Sequence, residues 1–282
     1  MTAPRAPVVA ARLKQALTDG AGALRSTSPT PRLDAEVLLA HALQCPRSHL
    51  YTWPDARIPP RESATFDTLI DKRRRGVPVA YLRGRQEFWG LDFEVDPRVL
   101  IPRPETEHLV EAALARLPPG GRFLELGTGS GAVALAVARE RPDVTVVATE
   151  RSTAALEVAK RNRRRLELER VVLLAADWTH GVAGPFDVIA SNPPYVASGD
   201  PCLNALEHEP LEALAAGPDG LDAIRELLPG AVAALAPGGA LLLEHGAEQG
   251  DAVATLMGEA GLQAVQGIRD LAGYLRIAAG RQ

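Results

Sequence analysis

The stretch that decides the fold is residues 123–131, Phe-Leu-Glu-Leu-Gly-Thr-Gly-Ser-Gly, where a short apolar run leads into three glycines at alternate positions. The run at 123–126 predicts a buried strand, and the pattern of residues 132–140 predicts a helix. A glycine-rich turn between a buried strand and a helix lets a ligand approach the backbone, because no side chain stands in the way. We therefore expect a ligand site at the five loop residues: Gly127, Thr128, Gly129, Ser130 and Gly131.

Beyond this loop, the chain alternates between short apolar strands and helices. Strands are predicted at 144–149, 171–176, 187–190 and 241–244, helices at 153–165, 221–235 and 247–260, and two closing strands within 263–279. This alternation predicts an α/β fold built on a parallel, doubly wound sheet. In such sheets, ligands bind beyond the carboxyl ends of the strands, so the residues that follow the strands are the candidates for function.

Two of these strand ends carry groups suited to a nucleoside. Glu150 ends the second strand, about twenty residues after the loop, where an acid can accept hydrogen bonds from ribose hydroxyls. Asp177-Trp178 ends the third strand and offers an acceptor for an adenine amino group and a ring to cover the base. With Ala132 the loop also fits the loose dinucleotide fingerprint, so the loop by itself does not identify the cofactor.

A fourth strand end, Asn192-Pro193-Pro194-Tyr195, is the most informative feature of the chain. Two successive prolines cannot continue a strand ladder, because neither has an N–H to donate. The resulting rigid corner can hold a planar NH2 group, with the Asn192 side-chain oxygen and the Pro193 carbonyl as acceptors and the Tyr195 ring over one face. A plain strand-ending turn is the structural alternative.

The first part of the chain has a different pattern. Helices are predicted at residues 8–18, 33–43 and 59–75, and they predict a small helical bundle over residues 1–76. The cationic cluster Lys72-Arg73-Arg74-Arg75 suits the C-terminus of the third helix through the macrodipole. Short strands at 81–82, 88–89 and 91–95 predict a β-hairpin linker over 77–100, and a helix at 108–117 then opens a third region, residues 101–282.

Composition excludes several classes of protein. The chain has 282 residues, of which 46% are hydrophobic, and a net charge of −4, which argues against a protein whose main role is to bind nucleic acid. We find no apolar run near the ~20 residues that span a bilayer, no secretory signal in residues 1–20, and no metal-ligand spacing, so no membrane and no metal are expected. Cys45 and Cys202 are predicted to be reduced thiols, which favours the cytoplasm.

His245, at the end of a predicted strand, is predicted to be a core or supporting residue rather than a catalyst.

The order of these motifs resembles the class I methyltransferases that use S-adenosylmethionine to modify exocyclic or amide nitrogens, over residues 121–282. A closer resemblance, over nearly the whole chain, is to the release factor glutamine methyltransferases. The stretches that carry it are residues 31–36, 88–89, 101–107, 126–131, 191–195, 209–210 and 243–246. The resemblance implies a seven-stranded, Rossmann-like class I domain that methylates the glutamine of the Gly-Gly-Gln loop in bacterial release factors.

The same resemblance implies a role for each site residue. Contacts to S-adenosylmethionine are implied for residues 127–131, Glu150, Asp177, Trp178 and Asn192, although Asp is frequent in the family at position 150. Residues 192–195 would receive the glutamine, with Asn192, Pro193 and Tyr195 as the catalytic groups.

The resemblance also implies roles for the flanking segments. Arg103 and Glu105 would line the site, and residues 207–209 would lie at its mouth or in a solvated loop. The helical domain would help to dock the release factor, and we expect a monomer that does not bind nucleic acid stably.

Three alternatives remain open from the sequence. A glutamine methyltransferase of a ribosomal protein shares the Asn-Pro-Pro-Tyr corner. An adenine-N6 or guanine-N2 methyltransferase of DNA or RNA holds the same kind of NH2 group, but it usually adds a basic recognition domain or a base-flipping pocket. A non-catalytic module could use the glycine loop to bind a nucleotide.

Overall fold

The computed structural model describes residues 12–282, so the start of the first predicted helix lies outside the described residues. The chain divides into two compact units, Met1–Gly84 and Arg85–Gln282.

The N-terminal unit is helical, as predicted, and it has its own core. Its helices are α1 (Leu13–Ala23), α2 (Pro31–Leu43), α3 (Arg47–Thr52), α4 (Pro60–Arg74) and α5 (Val79–Arg83). Leu17, Leu38 and Phe66 are among the buried residues that pack α1, α2 and α4 together.

The cationic cluster at the end of α4 stabilises this unit. The Arg73 Nε donates to the buried Asp34 carboxylate at 2.7 Å, which ties α4 to α2. Arg74 and Arg75 both pair with Asp71 on their own helix. Ion pairing within the unit therefore accounts for these three arginines.

The predicted strand at residues 81–82 is wrong, because Tyr81 and Leu82 lie in α5. The helix starts directly after Pro78, whose fixed φ suits a helix start, and ends at Gly84, which adopts the left-handed conformation at φ 67°. Five residues between a proline and a glycine are too few for apolar periodicity to separate strand from helix.

The predicted β-hairpin is confirmed and packs into the core of the second unit. Strands β1 (Arg85–Phe88) and β2 (Leu91–Glu94) pair antiparallel. Trp89 and Gly90 turn between them, both at positive φ, which matches the twist of the flanking strands. Phe88 and Phe93 meet edge to face, with ring centroids 6.1 Å apart, inside the core of that unit.

A seven-stranded sheet forms the second unit, as the resemblance implied. The strands are β3 (Arg122–Leu126), β4 (Thr145–Glu150), β5 (Val172–Ala175), β6 (Phe186–Ser191), β7 (Leu235–Glu244), β8 (Gln263–Arg269) and β9 (Leu275–Arg281). The helices are α6 (Glu107–Leu114), α7 (Ala132–Glu140), α8 (Thr153–Arg165), α9 (Cys202–Ala205), α10 (Asp222–Ala234) and α11 (Gly250–Glu259), with 3-10 turns at Pro104–Thr106 and Leu211–Ala213. The short helices α3 and α9 were not predicted.

Strand order in this sheet is β5-β4-β3-β6-β7-β9-β8, and β9 runs in the direction opposite to the other six strands. Buried side chains cover both faces: Phe123 packs with α6 and α7 on one face, while Leu124 packs with α10 and α11 on the other. The chain continues from β3 toward β4 on one side, but β6 is added on the other. The carboxyl ends of β3 and β6 therefore form the crevice where doubly wound sheets bind ligands.

Candidate active site

The glycine loop after β3 forms an open cradle at this crevice. Gly127 and Gly129 have φ of 72° and 55°, a region that L side chains rarely adopt. A Cβ on Gly129 would meet no atom within 4 Å, so a side chain there would extend into open space. The loop is fixed from behind, because the backbone N–H groups of Gly127 and Thr128 both donate to the Thr149 carbonyl on β4.

Gly131, the last glycine of the loop, has a structural role in the packing of α7 rather than a place in the ligand site. A Cβ at Gly131 would lie 3.0 Å from the Leu135 side chain, and the residue has a φ of 86°. This glycine allows α7 to start close to the loop, and it does not line the cavity described below.

A buried acid that the sequence analysis missed supports the loop. Glu125, on β3, accepts hydrogen bonds at one carboxyl oxygen from the Thr128 hydroxyl and from the Ala134 N–H, the latter at 2.9 Å. Burial raises the pKa of Glu125 to about 8, although these two hydrogen bonds oppose the increase. The signal in the sequence was the single acidic residue within the apolar run 123–126.

Glu150 connects the end of β4 to the same loop. One carboxyl oxygen accepts from the Gly129 N–H at 2.9 Å, and the other accepts from the Ser152 N–H at 2.8 Å. Each oxygen has lone pairs left for a further donor. The carboxylate is therefore held in one orientation at the cavity, and recognition of a ribose by this group remains a prediction.

Trp178 follows β5 and packs beside the glycine loop. Its backbone has a φ of 48°, and a Cβ on Gly127 would lie 3.4 Å from its ring. Asp177 and Trp178 both line the cavity. The structure thus brings the segment that follows β5 next to the glycine loop that follows β3, as the parallel sheet requires.

The corner after β6 is braced on both sides. The Ser191 hydroxyl donates to the Leu126 carbonyl at 2.8 Å, which fixes the end of β6 against β3. The Gln249 amide donates to the Tyr195 carbonyl at 3.0 Å, and Gly220 packs so tightly that a Cβ there would lie 2.2 Å from the same oxygen. The two prolines between these anchors have little freedom to move.

Asn192 is held by a residue whose role the sequence analysis did not assign. Its Nδ2 donates to the Thr106 hydroxyl at 3.1 Å, across 86 positions of the chain. Both residues line the cavity. Because the amide nitrogen is occupied by Thr106, the amide oxygen of Asn192 remains available as an acceptor.

The segment before Thr106 is anchored by an ion pair. The Arg103 guanidinium pairs with Glu209, whose side chain is only 2% exposed, and the other Glu209 oxygen accepts from the Ile101 N–H at 3.0 Å. Arg103 lines the cavity, whereas Glu105 is exposed and does not. Of residues 207–209, Glu209 is thus a buried anchor, and Glu207 is exposed away from the cavity wall.

These elements enclose one cavity of about 460 Å³, a size typical of small-molecule sites. Its wall holds most of the predicted site residues: Gly127, Thr128, Gly129, Ser130, Glu150, Asp177, Trp178, Asn192, Pro193 and Pro194. Tyr195 does not line it, so the predicted packing of its ring on a substrate amide remains a prediction.

The fold and this site define a class of protein. A seven-stranded sheet of this order, with a glycine loop after β3 and a cavity at the switch point, is the class I methyltransferase fold. A methyltransferase from Pyrococcus furiosus shares it, with a TM-score of 0.53 at 24% identity over 76% of this chain and 96% of that one.

Relatives narrow the class to one family. The family described as PrmC N-terminal domain matches residues 15–84, and the Methyltransferase small domain matches residues 105–209. The release factor glutamine methyltransferase of Xylella fastidiosa (strain 9a5c) is 49% identical over 261 residues, which cover 91% of this chain and 95% of that protein. Its counterpart from Coxiella burnetii (strain RSA 493 / Nine Mile phase I) is 42% identical over 273 residues, or 96% and 99% of the two chains. The chain belongs to the release factor glutamine methyltransferase family.

Among residues 12–282, no helix has both the length and the apolar character that a bilayer span requires.

Proposed function

We propose that this chain transfers the methyl group of S-adenosylmethionine to the side-chain amide nitrogen of the glutamine in the Gly-Gly-Gln loop of peptide chain release factors. The observation that carries the proposal is the orientation of Asn192. Its nitrogen donates to Thr106, so its oxygen is left as an acceptor on the wall of the cavity that also contains the glycine loop. A corner of this kind suits an NH2 group, and family membership indicates which NH2 group it is.

The cavity has the features that the cofactor needs. Residues 127–130 leave the backbone accessible, and the space beside Gly129 is open. Glu150 would accept hydrogen bonds from the ribose hydroxyls, while Asp177 and Trp178 would hold the adenine. When bound, S-adenosylmethionine supplies an electrophilic methyl group on a positively charged sulfur. The acids Glu150 and Asp177 line the same cavity and favour a cation there.

The chain's contribution to the chemistry is to hold and orient the glutamine. An amide nitrogen is a weak nucleophile, because its lone pair is delocalised into the carbonyl. The Asn192 oxygen and the Pro193 carbonyl would accept the two N–H bonds and keep the nitrogen in line with the methyl group, with the reacting atoms about 3–3.5 Å apart.

The same two acceptors would stabilise the transition state. Positive charge grows on the nitrogen as the new N–C bond forms, and fixed dipoles aimed at that charge lower the barrier. The methylated nitrogen then loses a proton readily, so the mechanism requires no dedicated general base. Tyr195 would cover the amide plane.

The N-terminal unit is proposed to recognise the release factor. It has a core of its own, and none of its described residues, 12–84, lies in the cavity wall. We further propose that the protein acts as a monomer in the cytoplasm, on a protein substrate rather than on nucleic acid.

The test compares three substrates with tritiated cofactor: a release factor, a ribosomal protein and duplex DNA. We expect label only on the release factor, at the glutamine of its Gly-Gly-Gln loop, and a release factor with that glutamine changed to alanine serves as the matched control. Label on the ribosomal protein or on DNA, with none on the release factor, would refute the proposed substrate.

A further inference from the structure

Glu209 is a buried acid that joins two segments of the chain at the cavity. Its side chain is 2% exposed, and each of its carboxyl oxygens accepts one hydrogen bond: Oε1 from the Arg103 guanidinium, and Oε2 from the Ile101 N–H at 3.0 Å. These two donors lie 106 and 108 positions away in the chain. Glu209 itself is not in the cavity wall, so it can act on a ligand only through the groups that it holds.

The segments on both sides of this contact do line the cavity. Pro102 and Thr106 belong to the first segment, and Pro210 and Ala213, directly after Glu209, belong to the second. A carboxylate with one donor on each oxygen has a fixed orientation. The Glu209 contact therefore sets the position of Arg103 relative to the opposite wall.

The same contact decides the charge that the cavity wall presents. Arg103 lines the cavity, and a guanidinium is always positively charged. Of the other arginines in the wall, Arg98 pairs with Asp96 at 2.6 Å, and Arg151 is exposed to solvent. Because the partner of Arg103 is buried, loss of its negative charge would leave the guanidinium without a counter-charge at the wall.

The proposed cofactor is sensitive to such a charge. S-adenosylmethionine carries a permanent positive charge on its sulfur. The molecule that remains after methyl transfer, S-adenosylhomocysteine, is a neutral thioether at that atom and otherwise has the same groups. An uncompensated cation in the wall therefore opposes binding of the first ligand more than binding of the second.

We propose that Glu209 is a positioning residue that sets the preference of the cavity for the sulfonium cofactor over its neutral product. It does so by holding the Arg103 guanidinium in the wall and neutralising its charge. This inference rests on the proposed use of S-adenosylmethionine. Its consequence is that the product competes less well with fresh cofactor for the same cavity.

Glu209→Gln in the full chain is the first test, with the Kd of each ligand measured by calorimetry at about pH 8, where an ordinary carboxyl is ionised. The variant keeps the size of the side chain, but it loses the charge and offers one acceptor oxygen to two donors. We expect the ratio of Kd for S-adenosylmethionine to Kd for S-adenosylhomocysteine to rise about fivefold or more.

Two further variants control for loss of structure. In the double variant Arg103→Met/Glu209→Gln neither charge is present, and the glutamine oxygen is free for the Ile101 N–H, so the ratio should return to within about twofold of wild type. Arg103→Met alone leaves the charge of Glu209 uncompensated, and the ratio should shift in the opposite direction, toward S-adenosylmethionine. This single variant decides the matter if circular dichroism shows that Glu209→Gln is unfolded.

The ratio separates positioning from a purely structural role. A structural role predicts that Glu209→Gln weakens both ligands by the same factor, and an unchanged ratio would overturn the proposal. A double variant whose ratio stays as high as that of Glu209→Gln would overturn it as well, and so would an unchanged ratio in Arg103→Met. Failure of wild type to bind either ligand would instead refute the proposed cofactor, so the two failures are distinguishable.

Discussion

At the scale of single residues, the proposed chemistry depends on which atom of Asn192 faces the cavity. The hydrogen bond from its nitrogen to Thr106 leaves one acceptor in a fixed direction. Replacing Asn192 with alanine removes that acceptor and leaves the Thr106 hydroxyl in place. The Pro193 carbonyl would then hold the substrate NH2 group alone, which is insufficient to define its orientation.

We predict that Asn192→Ala lowers the rate of methyl transfer about a hundredfold, by analogy with the loss of one oxyanion contact. Cofactor affinity should fall much less, because the glycine loop, Glu150 and Trp178 are unchanged. Single-turnover kinetics and calorimetry give the two quantities separately. A variant that loses cofactor binding and keeps the rate at saturation would assign Asn192 to the cofactor instead.

Glu125 is a second residue whose environment has a measurable consequence. The pKa of its carboxyl is about 8 in the folded chain, compared with 4.5 for an unperturbed glutamate. Between these two values, the unfolded chain has released the proton and the folded chain retains it. A rise in pH through this window therefore favours unfolding.

We predict that the free energy of unfolding of wild type falls relative to Glu125→Gln as the pH rises from about 5 to 8, by up to ~1.4 kcal/mol per pH unit. Urea denaturation at several pH values measures the difference. Glu248→Gln, at an exposed position, is the control for loss of one negative charge. A difference that stays constant with pH would show that Glu125 is ionised in the folded protein.

At the scale of elements, the cavity is formed by the segments that follow four parallel strands. Each is fixed to its neighbour by a specific hydrogen bond, such as Gly129 N–H to Glu150 and Ser191 hydroxyl to the Leu126 carbonyl. The glycine loop is the only one of the four that depends on the absence of side chains. The role of the glycine loop can therefore be tested by adding a side chain, without removing a polar group.

We predict that Gly129→Val raises the Kd for S-adenosylmethionine at least ~tenfold, because the new side chain would occupy the open side of the loop. Gly120→Val is a matched control: Gly120 also has a positive φ, at 66°, and open space around its Cβ position, but it is not in the cavity wall. Both variants carry the same strain of about 1–2 kcal/mol. Equal loss of affinity in both would attribute the effect to strain rather than to the loop.

At the scale of the whole molecule, the cavity and its supports belong to one compact unit. Within residues 12–282, every residue of the cavity wall falls between Arg98 and Ala213, in the unit Arg85–Gln282. The hairpin β1–β2 belongs to this unit as well, since Phe88 and Phe93 lie in its core. A fragment should therefore begin at Arg85 rather than at the predicted boundary near residue 76.

We predict that a fragment of residues 85–282 binds S-adenosylmethionine but methylates intact release factor with a kcat/KM at least ~tenfold below that of the full chain. A short peptide that contains Gly-Gly-Gln is the control substrate, and both proteins should methylate it at similar rates. A fragment that matches the full chain on intact release factor would exclude a docking role for the N-terminal unit.

Much of the fold could be predicted from the sequence, because it rests on local properties of the chain. Apolar periodicity indicated strands β3, β4, β5 and β6 and helices α7, α8 and α10, and glycine and proline chemistry indicated the loop and the corner. Local pattern failed where an element was too short to show a period. The helix at residues 79–83 was predicted as a strand for that reason.

Only the tertiary structure decided how distant residues meet. Thr106 contacts Asn192 across 86 positions, and Arg103 pairs with Glu209 across 106. Glu125 became a candidate for function only when the fold buried it beside the glycine loop, since burial is what shifts its pKa. The sequence by itself thus determined which groups the strand ends carry. Packing across the sheet decided which of those groups share a cavity, because long-range contacts leave no periodic trace in the chain.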